Sequence, residues 1–376
     1  MASKDLLDRV YGCIVGGAIG DALGAPVEGM YYQDIRREYG RVDSLLASTK
    51  GNTGPLYGGS TGELYDADYD GPPASAGQVT DDTTLRHYLS LAIINRQGRV
   101  TPDDFATVLA ERANPNRLWI NERAIIWKLK AGMNPWETGL GSIPAGVATM
   151  AIAPIGIVNA GDPDQAYLDA FAIASINQQG HNRDAAAAIA SGVASAFIPG
   201  ITLEGVLDTV YARSTPLLKR AIDRSYQLLD KASSVDDFAA AYYSTSLDWT
   251  WPSRGAWNPE RFFSGNSIEL VPITLAILKL CGGDPELSMV EAASFGRDCD
   301  TTASLAGSIC GAMQGASGIR SDWIDTVEAA NAEFFEEVEG DPKMNFSSVA
   351  RRMEPILQQE IVRSRERVAY LEGLVG

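Results

Sequence analysis

Two acidic clusters, far apart in this chain, share one composition. The first is Thr80-Asp81-Asp82-Thr83, inside the run Gly77-Gln78-Val79-Thr80-Asp81-Asp82-Thr83-Thr84. The second is Asp298-Cys299-Asp300-Thr301-Thr302, preceded by Gly296-Arg297. Each sets two carboxylates and a threonine hydroxyl directly before an apolar helical pattern. Four carboxylates brought together repel one another unless a cation sits between them. Hard oxygen donors of this kind suit magnesium, manganese or calcium rather than zinc. The pair reads as two halves of one metal site.

Helix capping competes with that reading, since Asp and Thr satisfy free N–H groups and the dipole at helix starts. One cap needs one such side chain, however, and here three oxygen-bearing residues come in a row, twice. Residues two apart do not share a helix face. Asp298 and Asp300 therefore converge only if the chain bends, and a bend at Gly296 before a helix from about Thr302 would allow it. A D-x-D-x-T phosphatase pattern would require a buried strand upstream. Met289 to Phe295 reads as a helix instead.

The elements that must position these groups are helical. Leu85, Tyr88, Leu89, Ala92 and Ile93 form an apolar face after Asp82. Similar patterns cover 103–112, 120–131, 164–176, 184–197, 216–231, 234–243, 268–281, 285–294, 302–316 and 321–338. Alternating β-branched runs are nearly absent, so the expected fold is all-α. Gly12, Gly16, Gly20 and Gly24 recur every fourth residue, as do Ala303, Gly307, Gly311 and Gly315. Glycine inside a helix is unfavourable by about 1 kcal/mol relative to alanine, so two closely packed central helices are predicted.

Residues 48–76 are rich in Gly, Pro, Ser, Thr and Asp and lead straight to Thr80, which suits a lid. Residues 247–266 carry Trp249, Trp251, Trp257, Phe262 and Phe263, a candidate ligand wall. His87 lies off its helix's apolar face and is expected in solvent. Asn182 is a candidate N-cap for helix 184–197, so His181 and Asn182 are candidates for substrate contact.

The chain has 376 residues and a net charge of −17. A polyanion attracts neither nucleic acid nor an anionic membrane, so neither is expected as a partner. Cys13, Cys281, Cys299 and Cys310 have no CxxC spacing, which suits a reduced, cytoplasmic setting. Asp21 interrupts the one early apolar stretch, Tyr11 to Val27, so no leader or membrane span is expected. One domain over 1–376 is expected, since no linker composition appears.

These motifs resemble the ADP-ribosylglycohydrolase family, which includes the dinitrogenase reductase-activating glycohydrolase. The matching runs are Gly20-Asp21-Ala22-Leu23-Gly24-Ala25-Pro26-Val27-Glu28, Gly77 to Thr83 and Gly296 to Gly315. Ala148 to Ile155 and Gly180-His181-Asn182 match more weakly, in the expected order. The similarity spans about 8–318, leaving 319–376 as a helical extension. It implies an all-α orthogonal bundle around two divalent ions, magnesium or manganese, with calcium as a further option. It implies ligation by Thr80, Asp81 and Asp82 from one side and Asp298, Asp300 and Thr301 from the other. It also implies hydrolysis at an anomeric carbon, with Glu28 near the substrate. The implied partner is an ADP-ribosylated protein or a small ribosyl compound.

The chemistry suits the residue types. A ribosyl bond breaks through an oxocarbenium-like state stabilised by flanking carboxylates, and Asp82 or Glu28 could orient or deprotonate a water. Two departures matter. Ala151 stands where relatives commonly carry an arginine near the diphosphate, and Arg297-Asp298-Cys299 replaces the usual Gly-Asp-Thr. A nucleosidase-like hydrolase of a smaller ribosyl compound is therefore the competing expectation. A catalytically silent relative is the third, and the intact acids argue against it.

Overall fold

The computed structural model describes residues 3–47, 75–244 and 265–375. The expected lid is therefore described only at Ser75 and Ala76, and the aromatic run 249–263 lies outside the described residues. The chain begins with α1 (Ser3–Gly24), α2 (Tyr32–Glu38), α3 (Asp81–Arg96), α4 (Pro102–Arg112), α5 (Ile120–Lys130) and α6 (Val147–Ala151). It continues with α7 (Ala153–Val158), α8 (Pro163–Ala174), α9 (His181–Ala196), α10 (Leu203–Arg213), α11 (Pro216–Leu229) and α12 (Val235–Ser244). The last third holds α13 (Ser267–Leu280), α14 (Pro285–Phe295), α15 (Cys299–Gln314), α16 (Ser321–Ala330), α17 (Ala332–Glu339) and α18 (Phe346–Val375). The fold is all-α. Among the described residues the sole β feature is an isolated bridge between Tyr31 and Gly296.

One hydrophobic cluster runs from Val10 to Leu357. Helices α6 and α7 escaped the periodicity because they are buried all round and so have no polar face. Helix α3 is likewise buried on nearly every side from Asp82 to Ile94. His87 is consequently not in solvent: it lies between Phe334 and Phe335, with Nε2 3.1 Å from Glu339 Oε1. The expected helix 321–338 breaks in two at Asn331. That side chain donates to Gly77 O (2.9 Å) and Val327 O (2.7 Å) and accepts from Val79 N (3.2 Å). The break clamps the segment that enters Thr80.

The glycine repeats meet as antiparallel partners. Gly12 faces Gly311, Gly16 faces Gly307, Gly20 faces Ala303 and Gly24 faces Cys299 and Asp300. A Cβ at any of these glycines of α1 would overlap backbone atoms of α15. The stretch Leu6–Val27 is long and apolar enough to cross a membrane, but 83% of its window is buried inside the protein. Burial between helices explains its composition.

Overpacking a close contact typically costs about 1–3 kcal/mol and occasionally more, and backbone cannot move aside as a side chain can. Gly311→Val should therefore lower the unfolding free energy by about 3 kcal/mol or more, read from urea denaturation. A change below about 0.5 kcal/mol would show that the two helices do not depend on this contact.

Candidate metal centre

The site begins with a residue whose role the sequence did not disclose. Asp21 is fully buried in α1. Its carboxylate accepts from Thr80 N (3.2 and 3.1 Å), Thr83 N (3.1 Å) and Thr83 Oγ1 (2.5 Å). It thus supplies an anion to the N-terminus of α3, where free N–H groups and the helix dipole favour one. Thr80 is the N-cap of α3, its hydroxyl accepting from Asp82 N at 3.2 Å. The capping role and the predicted site thus coincide in one residue.

Across the fold, α14 ends in a reversal. Gly296 (φ +80°) and Arg297 (φ +63°) both adopt left-handed backbone. The expected bend exists, although α15 starts at Cys299, three residues before the expected Thr302. Asp298 takes the N-cap position without a side-chain cap bond, and Asp300 enters the first turn. Arg297 N donates to Met30 O (2.7 Å) and Gly29 N donates to Arg297 O (2.7 Å). This pair of bonds ties the Glu28 loop to the reversal. Oxygens of Glu28, Asp298 and Asp300 consequently lie within 4.8 Å of one another. Thr301 Oγ1 donates to Asp82 Oδ2 at 3.4 Å, joining the two acidic motifs.

Two further side chains complete the centre. Glu122, in the first turn of α5, faces Asp81 carboxyl to carboxyl. Arg86, one turn into α3, points its charge at Asp82 and Asp21. Its guanidinium donates to Met150 O (2.8 Å) and to Ser304 Oγ, in space left by the absent side chain of Gly17. Neither residue stands out in the sequence. Glu122 follows no motif, and a helical arginine normally reads as surface.

The electrostatics fit a bound cation. Burial first, and then neighbouring acids, raises the pKa of Glu28, Asp82, Glu122 and Asp300 well above the carboxylate range. Asp81 is pushed up to about 7 by burial, with Asp21 and Asp298 adding to it. Among the described residues, Asp82 Oδ1 and Asp300 Oδ1 are buried without a hydrogen-bond donor, and Glu122 has the Asp81 carboxyl as its side-chain partner. Buried acceptors without donors are costly, and Arg86, with Arg123 beside Glu122, cannot neutralise five or more acids. A group of hard oxygens in this state matches the demands of a divalent ion. Glu28 and Asp81 keep some solvent contact, whereas Thr80, Asp82, Asp298, Asp300 and Thr301 are buried. The centre opens on the Glu28–Asp81 side.

The remaining predicted residues make contacts with other elements. Helix α9 starts at His181, with Gly180 as N-cap, so Asn182 lies in the first turn and does not cap it. Asn182 Oδ1 accepts from Ser267 N (3.1 Å), and His181 Nε2 lies 3.1 Å from Asn266 Oδ1. Both residues hold the start of α13. Arg297 is 3% exposed and forms a buried ion pair with Glu269 on α13. Ala151 is buried at the end of α6.

Two outcomes follow from this geometry. A carboxylate whose pKa is raised by folding supports the fold in its neutral form, below its unfolded pKa near 4, and that support is lost as pH rises through the folded value, about 7 for Asp81. In EDTA, the melting temperature should therefore fall between about pH 5 and about pH 8, and magnesium or manganese should remove most of the fall. A flat profile in EDTA would contradict the repelling cluster. Separately, Glu269→Gln removes a buried counter-charge of Arg297 and should cost about 3–5 kcal/mol. Arg297→Gly together with Glu269→Leu should recover most of that loss, because glycine accepts the left-handed backbone freely. No recovery would show that the ion pair does more than hold this turn.

Comparison with known proteins agrees with the geometry. The family model described as ADP-ribosylglycohydrolase matches residues 2–354, further in both directions than the 8–318 expected from the motifs. The uncharacterized protein YegU of Escherichia coli (strain K12) is 25% identical over 324 residues, covering 83% of this chain and 89% of that one. An uncharacterized protein of Archaeoglobus fulgidus is 28% identical over 344 residues, covering 88% and 94%. A solved structure described as an ADP-ribosylglycohydrolase-related protein complex has the same fold, with a TM-score of 0.57 and 21% identity over 93% of this chain and 99% of that one. With the family model matched over nearly its whole length, the chain belongs to the ADP-ribosylglycohydrolase family.

Proposed function

We propose that the chain is a divalent-metal-dependent hydrolase that cleaves an ADP-ribosyl glycosidic bond, on a protein or a small conjugate. The observation that carries this is the buried convergence of Glu28, Asp298 and Asp300 within 4.8 Å, joined to Asp82 through Thr301. Membership of a glycohydrolase family supports the reaction type. Thr80, Asp81, Asp82, Asp298, Asp300 and Thr301 would hold two ions, magnesium or manganese. When bound, these would neutralise the cluster, offer Lewis acidity to the ribose hydroxyls and acidify a bound water.

The chain's own residues do the rest. Glu28 stands at the open side on a loop zipped to the Arg297 turn, where it can take the proton of a water as the water oxygen bonds to the anomeric carbon and the bond to the leaving group breaks. Asp82, the other candidate, would orient that water. Asp21 and Arg86 touch the protein rather than solvent, and fix the start of α3 and the position of Asp82.

A nucleosidase-like reading is favoured by one observation. The family's usual diphosphate arginine is Ala151 here, and Arg297 is committed to Glu269. A guanidinium would give two charge-assisted hydrogen bonds of roughly 1.5–3 kcal/mol each. Binding of ADP-ribose should therefore exceed that of adenosine only modestly, and an advantage of about a thousandfold would restore the diphosphate reading.

Hydrolysis of ADP-ribosyl-arginine, ADP-ribosyl-serine, O-acetyl-ADP-ribose and simple nucleosides, each with magnesium or manganese, tests the proposal. Glu28→Gln should leave the melting temperature within a few degrees and lower kcat by about 100-fold or more. Asp300→Ala should weaken metal binding severely by calorimetry. Full activity in Glu28→Gln, or unchanged metal binding in Asp300→Ala, would each defeat its part of the proposal.

A further inference from the structure

Helix α18 spans Phe346–Val375 and changes character halfway. Phe346, Val349, Ala350, Met353, Ile356 and Leu357 are buried in the core. From Val362 to Leu374 every residue is exposed. Val368 is 54% exposed, Leu371 47% and Leu374 65%. The family match stops at residue 354, so this projecting part lies beyond the shared fold. An isolated helix of about 14 residues is marginal in water, and one carrying bare apolar side chains gains by covering them.

The projecting sequence is written for another helix. Leu357, Ile361, Ser364, Val368 and Leu371 alternate at four and three residues, the spacing of a two-helix seam. This seam continues the face that seats the first half of α18 on the core. A parallel partner would collide with the core there, so a partner helix meets the seam running antiparallel. On one flank of the seam Arg365 and Glu372 stand seven residues apart, in the same heptad position with opposite charge. A second copy in antiparallel orientation sets each Arg365 against the partner copy's Glu372, twice by symmetry. The other flank holds Glu360 and Arg367, likewise seven residues apart and opposite in charge, Glu360 also pairing with Arg363 in its own helix.

We propose that the C-terminal part of α18 is a self-association surface, and that two copies of this chain pair through it as an antiparallel helical seam centred on Ser364 and Val368. The contact is short, so the expected dissociation constant is about micromolar, and Ser364 weakens the middle of the seam.

Sedimentation velocity of the full chain should show a monomer–dimer equilibrium over about 1–100 μM. Val368→Glu with Leu371→Glu should abolish the dimer while circular dichroism and melting of the folded core stay unchanged. Arg365→Glu should weaken association at least about tenfold, and adding Glu372→Arg should restore it. Orientation is read by oxidation. Leu371→Cys alone should not cross-link, whereas a mixture of Leu371→Cys and Ile361→Cys should, the natural cysteines being buried. A wild-type chain monomeric at the highest concentration, a dimer indifferent to Val368→Glu/Leu371→Glu, or self-cross-linking of Leu371→Cys would each overturn the proposal.

Discussion

Where α1 and α15 touch, backbone meets backbone at four successive positions, Gly12 against Gly311 through to Gly24 against Asp300. Everything chemical in the protein hangs from that contact. It fixes the axial register of the two helices, because the glycines leave no side-chain layer to take up a shift. The register brings the end of α1, with Asp21 and the Glu28 loop, to the start of α15, with Asp298 and Asp300. A wider spacing with larger side chains would hold the helices apart and spread the acids beyond common reach of one ion.

Charge is the second constraint. The core admits Asp21, Asp82, Glu122 and Asp300, with the Arg86 guanidinium facing Asp82 and Asp21 and Arg123 near Glu122. Burial penalises each of these anions, and mutual repulsion adds to the penalty. Asp21 is offset by three donors at the start of α3. Among the described residues, Asp82 and Asp300 each have an oxygen with no such offset. The fold thus retains an arrangement that is unfavourable empty and favourable around cations, which is the state expected of a binding site rather than of a stability element.

The turn before Asp298 shows how a local departure is accommodated. Arg297 holds a left-handed backbone that glycine adopts more easily. Its guanidinium is buried against Glu269, and its backbone is bonded to Gly29 and Met30. Those contacts keep this residue in place, and with it the backbone that leads into Asp298.

The sequence by itself determined the helical class, the close pairing of the two glycine-repeat helices, and the two acidic motifs. Each of these is local: periodicity, small-residue spacing and clustered oxygens are visible without knowing what lies opposite. The structure bears out the close packing of the two glycine-repeat helices, which it shows to run antiparallel, and the bend at Gly296. Tertiary structure alone decided which other residues join the centre. Asp21 read as an interruption of an apolar stretch, Glu122 and Arg86 belonged to no motif, and His87 was expected in solvent. Helices buried on every side have no polar face, so the alternation that normally separates inside from outside is absent there. Those four positions took their meaning from what packs around α3.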